Sequence, residues 1–220
     1  MLVIPAINCK NFKCVKERLE IAAGFLPKAE NKRWVQIDIS DGKFTKAKTW
    51  NNPAELKNLI TYKLNNLNIE VHLMVNNLRP NVKKWLKMAD RIIFHFENLD
   101  EVEFGFIKKI IIKKGAPKFG LAITPKTPIE IIVPFLDDFK FVQLLSVNPG
   151  KSGQKFNPQT LDKIKFLKKY HPKIIIEIDG GINLQTAKMV KKAGADIINS
   201  GSYIFDSKNP KAAYEKLNSI

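Results

Sequence analysis

Short apolar runs alternate with amphipathic stretches along nearly the whole chain. Leu2–Asn8, Trp34–Ser40, Ile69–Val75, Arg91–Phe96, Lys118–Ile123, Phe139–Ser146, Ile174–Asp179 and Asp196–Ser200 have the length and β-branched content of strands. Helical spacing follows over Phe12–Gly24, Pro53–Tyr62, Arg79–Met88, Val102–Lys114, a short stretch from Pro128, Pro158–Tyr170, Leu184–Ala193 and Pro210–Leu217. In the first of these, Phe12, Val15, Leu19, Ala22 and Ala23 share one side. The strand runs are almost continuously apolar, as burial of both faces demands. Eight strand–helix units with short connections in 220 residues predict one (β/α)8 TIM-barrel domain over residues 1–220. The alternative is an open doubly wound sheet. No GxGxxG follows the first run, which weakens a dinucleotide-binding form of it.

Composition narrows the function classes. The formal net charge of +16 invites a nucleic-acid reading. Nearly all of that excess is lysine, spread over most of the helical stretches, and Arg18, Arg33, Arg79 and Arg91 are the only arginines. No single basic block results, so nucleic acid is not expected as a partner. A positive field would instead draw in an anionic substrate. No apolar run reaches the roughly eighteen residues of a membrane span, so no membrane partner is expected. Met1-Leu2-Val3-Ile4-Pro5 reads as a first strand and not as a signal peptide, which points to the cytoplasm. A homo-oligomer is expected. Cys9 and Cys14 fit neither a CxxC pair nor a zinc knuckle, and are expected as two reduced thiols.

Candidate chemistry gathers at the carboxyl ends of the strands. Asp38 ends Val35-Gln36-Ile37-Asp38, and Asp179 ends Ile174-Ile175-Ile176-Glu177-Ile178-Asp179. In a parallel barrel all such ends share one rim. Gln36 and Asp38 point the same way, because side chains alternate along a strand. His72 falls toward the carboxyl end of a third strand, so acid–base and metal-ligand residue types can converge from several strands. Each has a plainer reading: Asp38 as a cap, Asp179 ordering its glycine turn, His72 as a satisfied core histidine. His95 reads as a structural hydrogen-bonding residue or a pocket wall. Two turns, Asn148 to Gln154 and Asn199 to Ser202, are built from small residues whose N–H groups can approach an anion. Gly180-Gly181 could complete such a cradle.

Taken together these segments resemble ribulose-phosphate 3-epimerases. The match runs from Ile4-Pro5-Ala6-Ile7 to Gly201-Ser202-Tyr203-Ile204-Phe205. Its most telling pieces are Asp38-Ile39-Ser40-Asp41-Gly42-Lys43-Phe44, Val71-His72-Leu73-Met74-Val75, Ser146-Val147-Asn148-Pro149-Gly150 and Glu177-Ile178-Asp179-Gly180-Gly181. The resemblance implies an isomerase that interconverts D-ribulose 5-phosphate and D-xylulose 5-phosphate. It implies that Asp38 and Asp179 pass protons on opposite faces of C3 through an enediolate. It further implies a divalent metal on Asp38, His72 and Asp179, and a phosphorylated ketose held by Gly150–Gly153, Gly180-Gly181 and Gly201-Ser202, with Met74 over the enediolate.

Several positions depart from the family pattern. Gln36 stands where the family has its other metal-binding histidine and is the candidate fourth ligand, through its carbonyl oxygen. Two carboxylates, one imidazole and one amide are an oxygen-rich set, which tilts the expected metal from zinc toward manganese, iron or magnesium. Ala6 replaces a substrate-contacting serine, Ser40 and Leu145 replace methionines, and Lys151-Ser152 replaces Phe-Gly in the phosphate loop. These changes leave rivals open: a 3-epimerase of a six-carbon ketose phosphate of the allulose 6-phosphate type, or a sugar-phosphate-binding barrel with impaired catalysis. A decarboxylase or aldol-type barrel is disfavoured, because Ser40 occupies the place of its lysine.

Overall fold

Eight parallel strands pair in sequence order and close on themselves. They are β1 (Leu2–Ile7), β2 (Trp34–Ser40), β3 (Asn68–Met74), β4 (Arg91–His95), β5 (Phe119–Ile123), β6 (Phe141–Leu145), β7 (Ile175–Asp179) and β8 (Ile197–Ser200). Pairing of Leu2 with Ile197 through Pro5 with Ser200 joins β8 to β1. The helices are α1 (Phe12–Phe25), α2 (Pro53–Tyr62), α3 (Leu78–Trp85), α4 (Glu101–Lys114), α5 (Thr160–Tyr170), α6 (Leu184–Ala193), α7 (Ser202–Phe205) and α8 (Pro210–Asn218). This computed structural model describes residues 1–27, 33–62, 64, 66–114 and 118–220. The architecture is the expected (β/α)8 barrel.

Local signals place the helices. The Asn11 side chain accepts from the Cys14 N–H at 3.0 Å and starts α1. Asn183 and Thr186 cap α6 reciprocally, and Gly194, at φ 110°, ends it in a conformation that side chains disfavour. Outward strand residues such as Ile37, Val71, Leu121 and Ile178 are buried beneath the helices. Inside the barrel lies a small apolar cluster of Ile4, Ile93, Ala122, Phe141, Leu145 and Ile197.

A polar layer occupies the rest of the interior. Alternation along the strands sends Gln36, Glu70, Gln143, Glu177 and Asn199 inward, all essentially without solvent exposure. Register sets Gln36 beside Glu70, Glu70 beside Arg91, and Gln143 beside Glu177. Two residues further along β2, β3 and β7 stand Asp38, His72 and Asp179 at the carboxyl rim.

The short helix expected after Pro128 is present, and two features beyond it differ from expectation. The stretch after Pro128 is a 3-10 helix, Ile129–Phe135, because Pro134 inside it cannot join an α-helical ladder. Ser202–Phe205 forms a single helical turn just after β8. Cys9 and Cys14 are bonded to each other instead of standing as reduced thiols. The cause is the tight passage from β1 into α1, which brings their Cα atoms to 5.8 Å, inside the range a disulfide needs.

Candidate active site

Asp38 and Asp179 meet across the barrel mouth. His72 Nδ1 lies 3.6 Å from Asp38 Oδ1 and 3.4 Å from Asp179 Oδ2. Gln36 Nε2 donates to the same two oxygens, at 2.8 Å and 3.1 Å. One imidazole and one carboxamide are thus shared by both carboxylates. Asn8 Nδ2 adds a bond of 3.1 Å to Asp38 Oδ2. The rims of β2, β3 and β7 converge as the strand-end positions of Asp38, His72 and Asp179 suggested.

A second histidine sets the orientation of the first. His72 Nε2 and His95 Nε2 are 3.0 Å apart, and His95 Nδ1 lies 3.1 Å from Glu97 Oε2. Glu97 Oε1 also accepts from the Thr124 N–H at 2.7 Å and from the Thr127 hydroxyl. Burial would push His72 down, but the carboxylates of Asp179 and Asp38 outweigh it and hold its pKa up at about 10. Burial pushes His95 down to about 4, and the neighbouring positive charge of His72 adds to that. Glu97 is held down at about 2: its partial burial works the other way, and the hydrogen bonds from His95, Thr127 and Thr124 outweigh it. A neutral His95 commits its Nδ1 proton to Glu97, leaving its Nε2 as an acceptor. His72 therefore keeps its own Nε2 proton and turns Nδ1 toward the carboxylates. Burial, with repulsion from Asp179, holds the Asp38 pKa above the ordinary carboxylate range, although the nearby His72 and the hydrogen bond from Asn8 oppose it.

The donor set fits a divalent cation. His72 Nδ1 is buried without a hydrogen-bond partner, and it points at two carboxylate oxygens. One ligand atom from each of Asp38, His72 and Asp179 lies within 4.8 Å of the others. Two carboxylates and one imidazole are a common donor set for such an ion.

Gln36 corrects the expectation of a fourth ligand. Its amide nitrogen, not its carbonyl, faces the carboxylates. Its Oε1 is turned into the barrel, where it accepts from Gln143 Nε2 at 2.7 Å and from Asn199 Nδ2. Those two amides cannot turn freely, because each also donates to Glu177 Oε1, at 2.8 Å and 2.9 Å. The interior network thus fixes which end of Gln36 the site sees. A direct test is Gln36→His. An imidazole at 36 can ligate through one nitrogen while its other N–H finds the buried, unpartnered Gln143 Oε1 or Asn199 Oδ1. The variant is expected to bind Mn2+ about tenfold more tightly by calorimetric titration, the low end of the effect of altering a metal's supporting shell. An unchanged affinity would show that side chain 36 does not reach the ion.

The rest of the cavity is built from the turns singled out in the sequence. Ala6, Met74 and Leu145 form its walls beside Asp38, His72 and Asp179. Gly150, Lys151, Ser152 and Gly153 line it from the loop after β6; Gly180, Gly181, Gly201 and Ser202 line it from the turns after β7 and β8. Gln36 lies behind this surface and does not line it. Gly181 has no substitute: its φ is +61°, and a Cβ there would stand 2.6 Å from the Phe156 backbone nitrogen. Met74 is nearly buried, and the Ser40 hydroxyl approaches its sulfur at 3.7 Å. Sequence patterns did not reveal Arg18, which also lines the cavity, or the inward roles of Gln143, Glu177 and Asn199, the last of which was expected in a turn and lies in β8. Arg18 carries no motif, and the other three sit in strands where only period-two placement hints that they face inward.

Paired carboxylates at the carboxyl rim of a closed parallel barrel are the arrangement of a barrel enzyme. Residues 3–205 match the Ribulose-phosphate 3 epimerase family, and the chain belongs to that family. Among its relatives, a ribulose-phosphate 3-epimerase of Helicobacter pylori (strain J99) is 31% identical, with 100% of this chain and 98% of the relative aligned. One from Chlamydia pneumoniae is 35% identical over 94% of this chain and 89% of its own. One from Methanocaldococcus jannaschii is 40% identical over 70% and 66%. Among solved structures, a 3-hexulose-6-phosphate synthase superposes with a TM-score of 0.69 at 16% identity, covering 100% of this chain and 99% of that one. An orotidine 5'-phosphate decarboxylase from Pyrococcus horikoshii reaches 0.59 at 16% identity, with 100% of each chain covered. These two share the fold. No described helix is long and apolar enough to cross a membrane.

Proposed function

We propose that this enzyme interconverts D-ribulose 5-phosphate and D-xylulose 5-phosphate by moving a proton at C3 between Asp38 and Asp179. The reading is supported by one observation above all: the two carboxylates share His72 and Gln36 across a single cavity. One carboxylate, ionised, takes the C3 proton from one face of the ketose. The other, protonated, returns a proton to C3 from the opposite face. The pair ends with its proton on the partner that began without one, and the reverse reaction or exchange with solvent restores it. Burial and the charge of Asp179 favour a proton on Asp38, which supplies the single proton this cycle needs. Gln36 and Asn8 are donors to the carboxylate oxygens and hold them in place.

Between the two transfers the substrate is an enediolate, and negative charge builds on its oxygens. Asp38, His72 and Asp179 would hold a divalent cation, which when bound supplies Lewis-acid stabilisation of that charge. Manganese, iron or magnesium suits the oxygen-rich set better than zinc. The phosphate group sits among the turns at Gly150–Gly153, Gly180-Gly181 and Gly201-Ser202, and Met74 shields the reacting carbons from water.

Turnover on ribulose 5-phosphate and on allulose 6-phosphate, measured side by side, tests the chain length of the substrate. A higher kcat/KM on the five-carbon ketose is expected. Faster turnover of the six-carbon ketose would overturn the pentulose assignment. Failure of both ketoses to exchange C3 hydrogen with deuterated solvent would overturn epimerase activity itself.

A further inference from the structure

Charge is divided unevenly along the cavity. Asp38 and Asp179 occupy one part of its wall, and the glycine turns another. Those turns offer backbone N–H groups and, among their side chains, a single cation at Lys151, whereas a phosphate group near pH 7 carries about two negative charges. Among the described residues lining the cavity, the positive charge of His72 is taken up by Asp38 and Asp179, and the other cationic side chains belong to Arg18 and Lys151. Lys151 is exposed on its loop, where water screens its ammonium.

Arg18 is placed differently. It stands on α1 between Val15, Leu19 and Ala22, the residues with which that helix faces the core. Its side chain is 24% exposed, and its guanidinium lies 5.0 Å from the centre of the Phe205 ring. Phe205 closes the helical turn that begins at Ser202, so the ring aligns the guanidinium beside the last of the three small-residue turns. Nη2 is 3.3 Å from Asp206 Oδ1, a carboxylate whose side chain is 63% exposed. An ion pair with so solvated a partner contributes little stability. It does keep a partly desolvated fork of N–H donors at the cavity, and such a fork matches phosphate oxygens in pairs.

We propose that Arg18 is the charged phosphate contact of this site and that Asp206 is its counter-ion in the free enzyme, competing with phosphate for the guanidinium. The inference rests on the phosphorylated-ketose reading above. It requires the two partners of one ion pair to act in opposite directions. Arg18→Gln is expected to raise both KM for ribulose 5-phosphate and the inhibition constant of inorganic phosphate by about tenfold or more, the range for loss of a hydrogen bond to a charged group. KM should rise more than kcat falls. Arg18→Lys should recover part of the loss, since it keeps the charge without the fork. Asp206→Asn should lower both constants. If the pair only ties α1 to the turn after β8, both variants would move the constants the same way, and that result would overturn the proposal. So would an unchanged phosphate inhibition constant in Arg18→Gln while the wild-type chain epimerises normally. A wild-type chain that binds inorganic phosphate through Arg18 but turns over no ketose would sink the proposed reaction and leave the phosphate contact standing. Absence of any phosphate binding at millimolar concentration would remove both.

Discussion

Replacing either Asp38 or Asp179 by asparagine is expected to reduce epimerase turnover by about a thousandfold, within the range for loss of a positioned acid–base group. Asparagine keeps the shape of each side chain but can neither take nor deliver the proton. Folding should survive, because the exposed fractions of 12% and 17% put both side chains at the cavity wall and not in the apolar core. The two variants should also leave different traces. With one base remaining on one face, each variant should still wash hydrogen from C3 of one epimer into deuterated solvent, slowly, and not from the other. The favoured epimer should be opposite in the two variants. A folded variant of either kind that retains more than a tenth of wild-type turnover would end the two-base assignment. The same epimer exchanging in both variants would argue for a single base.

Arg91→Met is expected to lower the free energy of unfolding by about 3–5 kcal/mol, the range seen when one partner of a buried ion pair is removed. Arg91 Nη1 bonds Glu70 Oε2 at 2.6 Å, and the Glu70 side chain has no solvent exposure. The guanidinium is also enclosed by aromatic rings, 4.3 Å from the centre of Trp34 and 4.0 Å from that of Phe141. Burial, reinforced by the negative charge of Glu70, drives the Glu177 pKa well above the usual carboxylate range. Burial raises the Glu70 carboxyl too, and the charge and hydrogen bond of Arg91 oppose that rise, so Arg91 is what favours a charged Glu70. Removing the cation strands Glu70 in a low-dielectric layer. Adding Glu70→Gln to Arg91→Met should restore part of the lost stability, read from urea unfolding midpoints. A double variant no more stable than Arg91→Met would mean that ring packing, and not charge balance, is what Arg91 contributes.

Much of the fold was legible because its signals are local. A buried parallel strand must be apolar on both faces, and strands such as Trp34–Ser40 and helices such as Leu184–Ala193 have the bounds their sequence patterns indicate. The strand ends carried the carboxylates for the same reason: alternation fixes which side chains face inward, and parallel pairing brings the strand ends to one rim. Gly180 and Gly181 were legible as a turn that only glycine permits, and both have positive φ. The short helix after Pro128 was legible too, whereas its 3-10 form follows from Pro134, which has no N–H to give to an α-helical ladder.

Local patterns along the chain thus suffice for the barrel, the two aspartates at its mouth and the glycine turns beside them. Each depends on neighbours within one strand or one turn. Only the tertiary structure decided which end of Gln36 meets those aspartates. The amides that lock it, Gln143 and Asn199, lie 107 and 163 positions further along the chain, so no local pattern could reveal a donor where a ligand was expected. It also decided the bond between Cys9 and Cys14, which follows from how closely β1 turns into α1. The same holds for Arg18, whose guanidinium is brought to the cavity by packing against Phe205 and Asp206 at the other end of the chain. Hydrogen-bond direction and charge placement are settled by partners remote in sequence, and those partners exist only once the barrel has closed.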